Sequence, residues 1–391
     1  MPESAAEPVG ASADEPAQAM DFALDETQQA VARLAAEALD RAGQPGAGEH
    51  GDGFDAALWK ELGRAGLLSL ALPERLGGDG LGVPAVALLL TEIGRKAAAV
   101  PALATLALGV LPVTRWGDRH LQGALLDGVG SGETVLTAAV REPTGVMPSA
   151  PATTARLRGK SGTVTGVKVG VPYAAAADWI LVPARLDPGR AGVVIVARSG
   201  HGVSLRRTHS AGGAPEYTLR LDEAPVADLL GAAAGEEERG GRVVTDLYRL
   251  ALAGACCLAD GALAAALALT TAHAGAREQF GRPLATFQAV AGQIADVYIA
   301  SRTLHLATMA ACWRLATGRE AGRDLDVAAY WLADQATAAL RTCHHLHGGI
   351  GMDVTYPLHR YSSMLTDLAR FVGGADHRLE RLGARAAGGD G

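Results

Sequence analysis

The chain has 391 residues, 49% of them hydrophobic and 20% charged, and its formal net charge is -7. A chain of this length exceeds what one hydrophobic core normally serves, so we expect two or three packed domains. The negative charge argues against a nucleic-acid partner, because neutralising phosphates requires clustered basic residues. No uninterrupted run of eighteen apolar residues occurs, so the sequence predicts a soluble protein without a membrane span.

Residues 1–20 are rich in Ala, Pro and acidic residues. They lack the basic flank and apolar core of a signal peptide, so we expect a disordered segment. The four cysteines show no CxxC spacing, which is typical of reduced thiols and predicts a cytoplasmic location; they are Cys256, Cys257, Cys312 and Cys343.

Residues 21–139 carry a mainly helical pattern. Apolar residues recur at helical spacing over 27–39, 58–70 and 83–93, which predicts three helices. A glycine-rich segment, residues 77–82, lies between the second and the third. Its composition is similar to that of a phosphate-binding loop, but no strand precedes it, so we interpret it as a turn.

The pattern changes to strands at residue 140 and back to helices at residue 240. Residues 140–239 contain short β-prone runs between Gly and Pro turns, at 162–169, 179–182 and 193–196. Residues 240–391 contain four long helical segments, as in a four-helix bundle, at 242–275, 287–317, 324–346 and 357–385. The predicted fold class is α+β, mostly α, with a β-domain between two helical domains.

Two polar, glycine-containing segments, which we call the two breaks, interrupt the helical pattern of the last domain. The first spans residues 277–284 and is followed by Gln288; the second spans 345–351 and is followed by 356–361. Taken alone, the first break is also consistent with a helix-breaking connector. The histidines of the second break, with Cys343 before them, are residue types that bind metals. Because neighbouring positions on a helix point apart, we predict no metal site.

With the order of the domains, these breaks resemble the flavin-contacting signatures of the acyl-CoA dehydrogenase family over residues 21–385. Smaller matches lie at residues 72–78, 131–133 and 141–143. The resemblance implies FAD as cofactor and an acyl-CoA thioester as substrate. A carboxylate would remove the α-proton while a hydride leaves the β-carbon for the flavin. The resemblance also implies a β-barrel-like middle domain, a C-terminal bundle that mediates tetramer contacts, and electron-transfer flavoprotein or a similar acceptor.

The resemblance further implies which residues would bind FAD. Arg277 would pair with the pyrophosphate, since a planar guanidinium binds two phosphate oxygens at once. Phe280 and Gln288 would flank the adenylate part, and His345, where the family usually has glutamine, would donate one hydrogen bond. The glycines would allow a tight turn or a close backbone approach; they are Gly281, Gly348, Gly349 and Gly351.

The family's catalytic glutamate is missing from both positions at which the resemblance places it. One position holds Tyr248, a poor base because a phenol has a reference pKa of about 10. The other holds Val372 and Gly373. We therefore predict no catalytic residue in this chain, and a relocated base at Asp246 or Asp376 is the alternative.

The middle domain departs from the family as well. Residues 144–148, after Arg141-Glu142-Pro143, lack the family's Gly-Ser-Asp element, and Gly170 and Pro172 replace a Trp and a Thr beside the flavin ring. The residues that would contact the flavin of a neighbouring subunit are kept. The residues that would bind a flavin in this chain's own β-domain are lost. This pattern resembles the non-catalytic subunit of actinobacterial α2β2 enzymes for steroid-side-chain thioesters, with a homologous subunit as partner. A self-sufficient homo-oligomer and a non-catalytic scaffold are the alternatives.

Overall fold

The computed structural model describes residues 22–41, 54–186, 190–231 and 239–388. The predicted disordered segment, residues 1–20, lies outside this part of the chain. In the described residues, helices come first, strands second and helices again from residue 239, which confirms the predicted order of classes.

The first part is helical, with α1 (Glu26–Arg41), α2 (Ala56–Arg64), α3 (Gly82–Lys96), α4 (Leu111–Trp116) and α5 (Arg119–Leu126); a π-helical segment, Leu103–Val110, leads directly into α4. Helix α2 ends six residues before the predicted end at residue 70. The backbone turns left-handed at Gly66, with φ of +76°, and that conformation cannot continue a helix.

The glycine-rich segment at residues 77–82 is a turn. The N–H groups of Gly80 and Leu81 donate to the carbonyls of Leu72 and Leu70. These donors are therefore used inside the chain and are not presented to a phosphate.

The middle part is a single eight-stranded sheet with a small two-stranded hairpin, β2–β3, beside it. The strands are β1 (Leu136–Ala138), β2 (Arg141–Glu142), β3 (Gly145–Val146), β4 (Thr154–Arg158), β5 (Ser161–Pro172), β6 (Trp179–Leu186), β7 (Arg190–Ala197), β8 (Val203–Thr208), β9 (Glu216–Val226) and β10 (Asp228–Leu230). Pairing is antiparallel, except that β6 runs parallel to β1 and to β4. The sheet curls, so that β7 contacts β9 without pairing with it.

The last part is helical again. Its elements are α6 (Arg239–Ala276), the hairpin β11 (Glu278–Gln279) and β12 (Arg282–Pro283), α7 (Gln288–Ala316), α8 (Gly322–Trp331), α9 (Thr337–His347), α10 (Leu358–Phe371) and α11 (Gly374–Ala386). A π-helical turn, Leu332–Ala336, joins α8 to α9. The segment predicted as one helix over 357–385 is two helices, because Gly373 and Gly374 both have positive φ, +99° and +82°.

Helix α6 lies at the centre of the molecule and packs closely against α3. A Cβ at Gly261 would lie 1.8 Å from the carbonyl oxygen of Thr91, and one at Gly94 would lie 2.1 Å from that of Leu258. The two backbones therefore touch where only glycine fits. Helix α6 is long and apolar enough to cross a membrane, but 83% of its most apolar window is buried in the protein, as in a core helix.

Candidate functional site

The first half of α6 carries Tyr248, one of the two positions at which the catalytic glutamate was expected. Tyr248 is only 9% exposed, and its hydroxyl donates to the carbonyl of Pro148 over 3.1 Å. Burial raises the pKa of Tyr248 far above its ordinary value, and the charge of Glu142 adds to this effect. A phenol in this state does not accept a proton at neutral pH.

The second expected position, Val372 and Gly373, is closed as well, and Val372 is fully buried. A Cβ on Gly373 would lie 2.7 Å from Cδ2 of His377 and 3.4 Å from Cβ of Val146. Val146 belongs to hairpin β2–β3, and Pro148, which accepts from Tyr248, follows two residues later. The hairpin and the residues directly after it therefore lie against both positions.

The two alternative bases differ in their surroundings. Asp246 accepts from Nη1 of Arg115 at 2.7 Å and from Nε1 of Trp116 at 2.8 Å, so its carboxylate is held between α6 and α4. Asp376 lies in the first turn of α11 and is exposed. Asp246 is thus already bonded inside the chain, and Asp376 faces solvent.

Sequence reasoning missed a buried ion pair that joins this hairpin to β5. Glu142 accepts from Nζ of Lys168 at 2.7 Å and from the N–H groups of Ala152 and Thr153 at 2.7 and 3.0 Å. Lys168 also donates to the carbonyl of Pro183 over 2.7 Å. Burial alone would raise the pKa of Glu142, but Lys168 and the bonds from Thr153 lower it to about 2. The glutamate is thus an ionised structural group.

A second charged cluster lies at Gly170, which by resemblance replaces a Trp beside the flavin ring. Gly170 has φ of +59°, and a Cβ there would lie 2.8 Å from Nη1 of Arg141 and 3.5 Å from Oε2 of Glu216. Oε1 of Glu216 accepts from Arg370 on α10 over 2.8 Å. The guanidinium of Arg141 therefore lies over the bare glycine. We call this region the closed end. It comprises hairpin β2–β3, the charged residues around it, Tyr248 and Gly373.

Beyond the last residue of α6, hairpin β11–β12 reaches into solvent. Its two loop residues, Phe280 and Gly281, both have positive φ, +54° and +76°, as a two-residue hairpin turn of this type requires. Positive φ strains a phenylalanine, and its ring is nevertheless 91% exposed. Arg277 before the hairpin and Gln288 after it are exposed as well. Within the chain, the ring of Phe280 has an edge-on contact with that of Phe287, with the centroids 6.2 Å apart.

The structure brings the two sequence breaks together. The rings of His273 near the end of α6 and His347 at the end of α9 stack with their centroids 4.6 Å apart, and Nε2 of His347 lies 3.0 Å from the hydroxyl of Tyr356. Burial lowers the pKa of both histidines, and in His273 the charge of Arg277 adds to this. His273 was not among the predicted site residues, although its stacking on His347 brings the two breaks together.

The glycines of the second break differ among themselves. Gly348 and Gly349 are exposed, and a Cβ on either would meet no atom within 4 Å. Gly351 is buried, and a Cβ there would approach Cβ of His347 to 3.1 Å, so its smallness serves packing inside the chain. Met352 and Val354, which follow, are 77% and 74% exposed. We call the exposed surface formed by Gly348, Gly349, Met352 and Val354 the open end. It also includes the exposed residues Arg277, Phe280, Gln288 and His345.

The histidines of the second break point in different directions. Nδ1 of His347 is 2.8 Å from the carbonyl oxygen of Cys343, and His347 is buried, whereas His345 is exposed. Within the described ranges no group of three or more His, Cys, Asp or Glu is placed to hold a metal ion.

The two ends differ in how well they suit FAD. At the open end, an exposed guanidinium at Arg277, an exposed ring at Phe280 and bare backbone at Gly348 are the groups that a pyrophosphate and an adenine would need. At the closed end, Arg141 occupies the space over Gly170, and Tyr248 is already bonded to the carbonyl of Pro148. The residues present there do not suit an isoalloxazine ring. The open end therefore suits the pyrophosphate and adenine parts of FAD, whereas the closed end does not suit its ring.

Comparison with known proteins places the chain among flavoenzymes. The model of the acyl-CoA dehydrogenase N-terminal domain matches residues 25–133, and that of the C-terminal domain matches residues 239–388. Acyl-CoA dehydrogenase FadE28 of Mycobacterium tuberculosis is 45% identical over 370 residues, which cover 94% of this chain and 99% of FadE28.

Solved structures give the same result. The ChsE4-ChsE5 complex from Mycobacterium tuberculosis matches with a TM-score of 0.86 and 34% identity over 94% of this chain and 99% of the matched chain. A variant of the Tcur3481-Tcur3483 steroid ACAD matches with a TM-score of 0.84 and 33% identity over 93% and 98%. This chain belongs to the acyl-CoA dehydrogenase family, whose members are oxidoreductases that act on CH–CH bonds and use FAD.

Proposed function

We propose that this chain is the supporting, base-lacking subunit of a heteromeric acyl-CoA dehydrogenase that catalyses α,β-dehydrogenation of an acyl-CoA thioester. Its partner would be a homologous subunit that carries the catalytic glutamate. FAD, when bound, accepts the hydride that leaves the β-carbon of the thioester. The contribution of this chain would be to hold the pyrophosphate and adenine ends of a cofactor whose ring lies in the partner.

The contrast between the two ends of α6 carries this proposal. Tyr248 is buried and already bonded within the chain, so the chain has no group at the expected place that removes an α-proton. Arg277 forms no ion pair with any of the described residues, and Phe280 projects into solvent. A surface of this kind is suited to completing a site that another chain begins.

At the open end, Arg277 would donate two hydrogen bonds to phosphate oxygens, and Gln288 and His345 would add polar contacts. Gly348 and Gly349 would let the backbone approach the dinucleotide, since no side chain intrudes. The apolar side chains of Phe280 and Met352 would be buried against the partner, which would exclude water from the cofactor.

The relatives support a role among unlike subunits. The titles of two similar structures each name a pair of proteins, ChsE4-ChsE5 and Tcur3481-Tcur3483, and the second describes a steroid ACAD. For this chain we propose an α2β2 assembly and a bulky steroid-side-chain acyl-CoA substrate. We also propose an acceptor of the electron-transfer flavoprotein type and a cytoplasmic location. The four cysteines are free and buried, in agreement with a reducing compartment.

Expression of the chain alone and together with a glutamate-bearing homologue tests the proposal. Flavin per protein is measured after gel filtration, and acyl-CoA oxidation is assayed with ferrocenium as acceptor and excess FAD. We expect no turnover and no stoichiometric flavin from the isolated chain, and about one flavin per unlike pair, with activity, from the complex.

The variant Tyr248→Glu is a further control. It places a carboxylate against the carbonyl of Pro148 in a closed pocket, and we expect no activity from the isolated variant. An isolated wild-type chain that is yellow and active would establish a self-sufficient enzyme. A chain that acquires neither flavin nor turnover with any partner would be a scaffold.

A further inference from the structure

Arg141 and Gly170 share one space at the closed end. The two residues lie on different strands, β2 and β5, and Nη1 of Arg141 is 2.8 Å from the point where a Cβ of Gly170 would lie. Real Cβ atoms essentially never have a neighbour that close. A larger residue at position 170 and the present conformation of Arg141 therefore exclude each other.

The guanidinium of Arg141 is held there without a full set of partners. Its Nε and Nη1 are buried and donate to no acceptor among the described residues, and Oε2 of Glu216 beside it accepts from none. A second cation, Arg370, acts electrostatically on the guanidinium and is itself paired with Oε1 of Glu216. Burial lowers the pKa of Arg141, the charge of Arg370 lowers it further and that of Glu216 opposes this. Stability alone does not account for this arrangement, since unmet buried donors weaken a fold.

The groups around the guanidinium are fixed by contacts of their own. Glu216 is fixed by Arg370, and Asp367 on the same helix as Arg370 accepts from the N–H groups of Ala211 and Gly212 just before β9. Helix α10 is therefore fastened to the sheet beside Arg141. Helix α10 bounds the volume over Gly170 on that side, and the side chain of Arg141 fills this volume.

We infer that Arg141 is the residue that excludes a flavin ring from this subunit's own β-domain, by filling the volume over Gly170 with a guanidinium held beside Glu216 and Arg370. The inference rests on the proposed function, and it makes the one-flavin-per-pair stoichiometry a consequence of a single side chain. The lost ring contacts at Gly170 and Pro172 then only weaken binding, whereas Arg141 prevents it.

The test replaces Arg141 in the co-expressed complex. The variant Arg141→Thr removes the guanidinium and keeps a β-branched residue suited to a strand. The matched control is Arg156→Thr, which changes an exposed arginine on β4 of the neighbouring sheet. Flavin per unlike pair is determined by releasing the cofactor and quantifying it against protein. The isolated variant chain is also titrated with FAD, with flavin fluorescence as the readout.

We expect the wild-type and Arg156→Thr complexes to hold about one flavin per pair and the Arg141→Thr complex to hold up to twofold more. The isolated Arg141→Thr chain should show saturable FAD binding that the wild-type chain lacks. If Arg141→Thr does not fold, Arg141→Lys, which keeps the charge on a thinner head group, replaces it with a smaller expected gain.

Two results would overturn the inference. In a folded variant complex, an unchanged single flavin means that Arg141 does not exclude the ring. A fall below one flavin per pair means that Arg141 contributes to binding. Two flavins per pair already in the wild-type complex would instead refute the proposed function, so the two failures are distinguishable.

Discussion

The closed end and the open end are joined by the same helix, roughly 40 Å apart at about 1.5 Å per residue, and they differ in what satisfies their polar groups. At the closed end, charges are paired inside the chain: Lys168 with Glu142 and Arg370 with Glu216. At the open end, Arg277 and Gln288 face solvent. The paired charges at the first end stabilise the fold, although Arg141 there keeps unmet donors, and the polar residues at the second end remain available to a ligand or another chain.

The comparison also separates two kinds of backbone strain. Gly170 at the closed end and Phe280 at the open end both have positive φ, +59° and +54°. At Gly170 the conformation costs little because glycine has no Cβ, and Arg141 occupies the space beside it. At Phe280 the strain falls on a large apolar residue that is 91% exposed and whose ring has an edge-on contact with Phe287.

The largest effect is expected from breaking the buried pair at the closed end. Lys168→Met leaves the carboxylate of Glu142 buried without its cation, and we expect the free energy of unfolding to fall by about 3–5 kcal/mol. Urea unfolding followed by circular dichroism measures this. Glu142→Gln/Lys168→Met should be less damaging than Lys168→Met alone, and Arg156→Met should have little effect. A loss below about 1 kcal/mol from Lys168→Met would mean that water reaches Glu142.

The same pair predicts how stability depends on acid. The pKa of Glu142 falls from 4.5 to about 2 on folding, so its ionised form stabilises the fold above pH 4.5. This contribution, at most about 3 kcal/mol, is lost as the pH falls from 4.5 through 2. Unfolding free energies of the wild type and Glu142→Gln, measured between pH 6 and pH 3, should converge as the pH falls. A constant difference would assign the stabilisation to packing and not to charge.

A smaller effect, confined to the cofactor, is expected at the open end. Arg277→Ala removes charge-assisted hydrogen bonds worth about 1.5–3 kcal/mol, and should weaken FAD retention by the assembled complex by about 10- to 150-fold. Unfolding should be unchanged within about 0.5 kcal/mol. The flavin-to-protein ratio after gel filtration measures retention, and Arg323→Ala, an exposed change on α8, is the control. Unchanged occupancy would show that other groups hold the pyrophosphate.

Much of the architecture follows from local patterns in the sequence. Helical and strand periods predicted the order of classes, and the predicted β-runs lie within β5, β6 and β7. The prediction of one helix over 357–385 was wrong, because its apolar spacing continues through Gly373 and Gly374. The backbone there turns left-handed, which the spacing of apolar residues does not reveal.

For the candidate site, the sequence by itself determined which side chains are present: no glutamate at Tyr248 or Gly373, and an arginine, a phenylalanine and glycines at the two breaks. Only the tertiary structure decided which of them are available. The bond from Tyr248 to Pro148 joins residues one hundred positions apart, and Arg141 meets Gly170 across separate strands. Local periodicity records the face of an element that is buried, whereas such contacts depend on how the elements pack against one another.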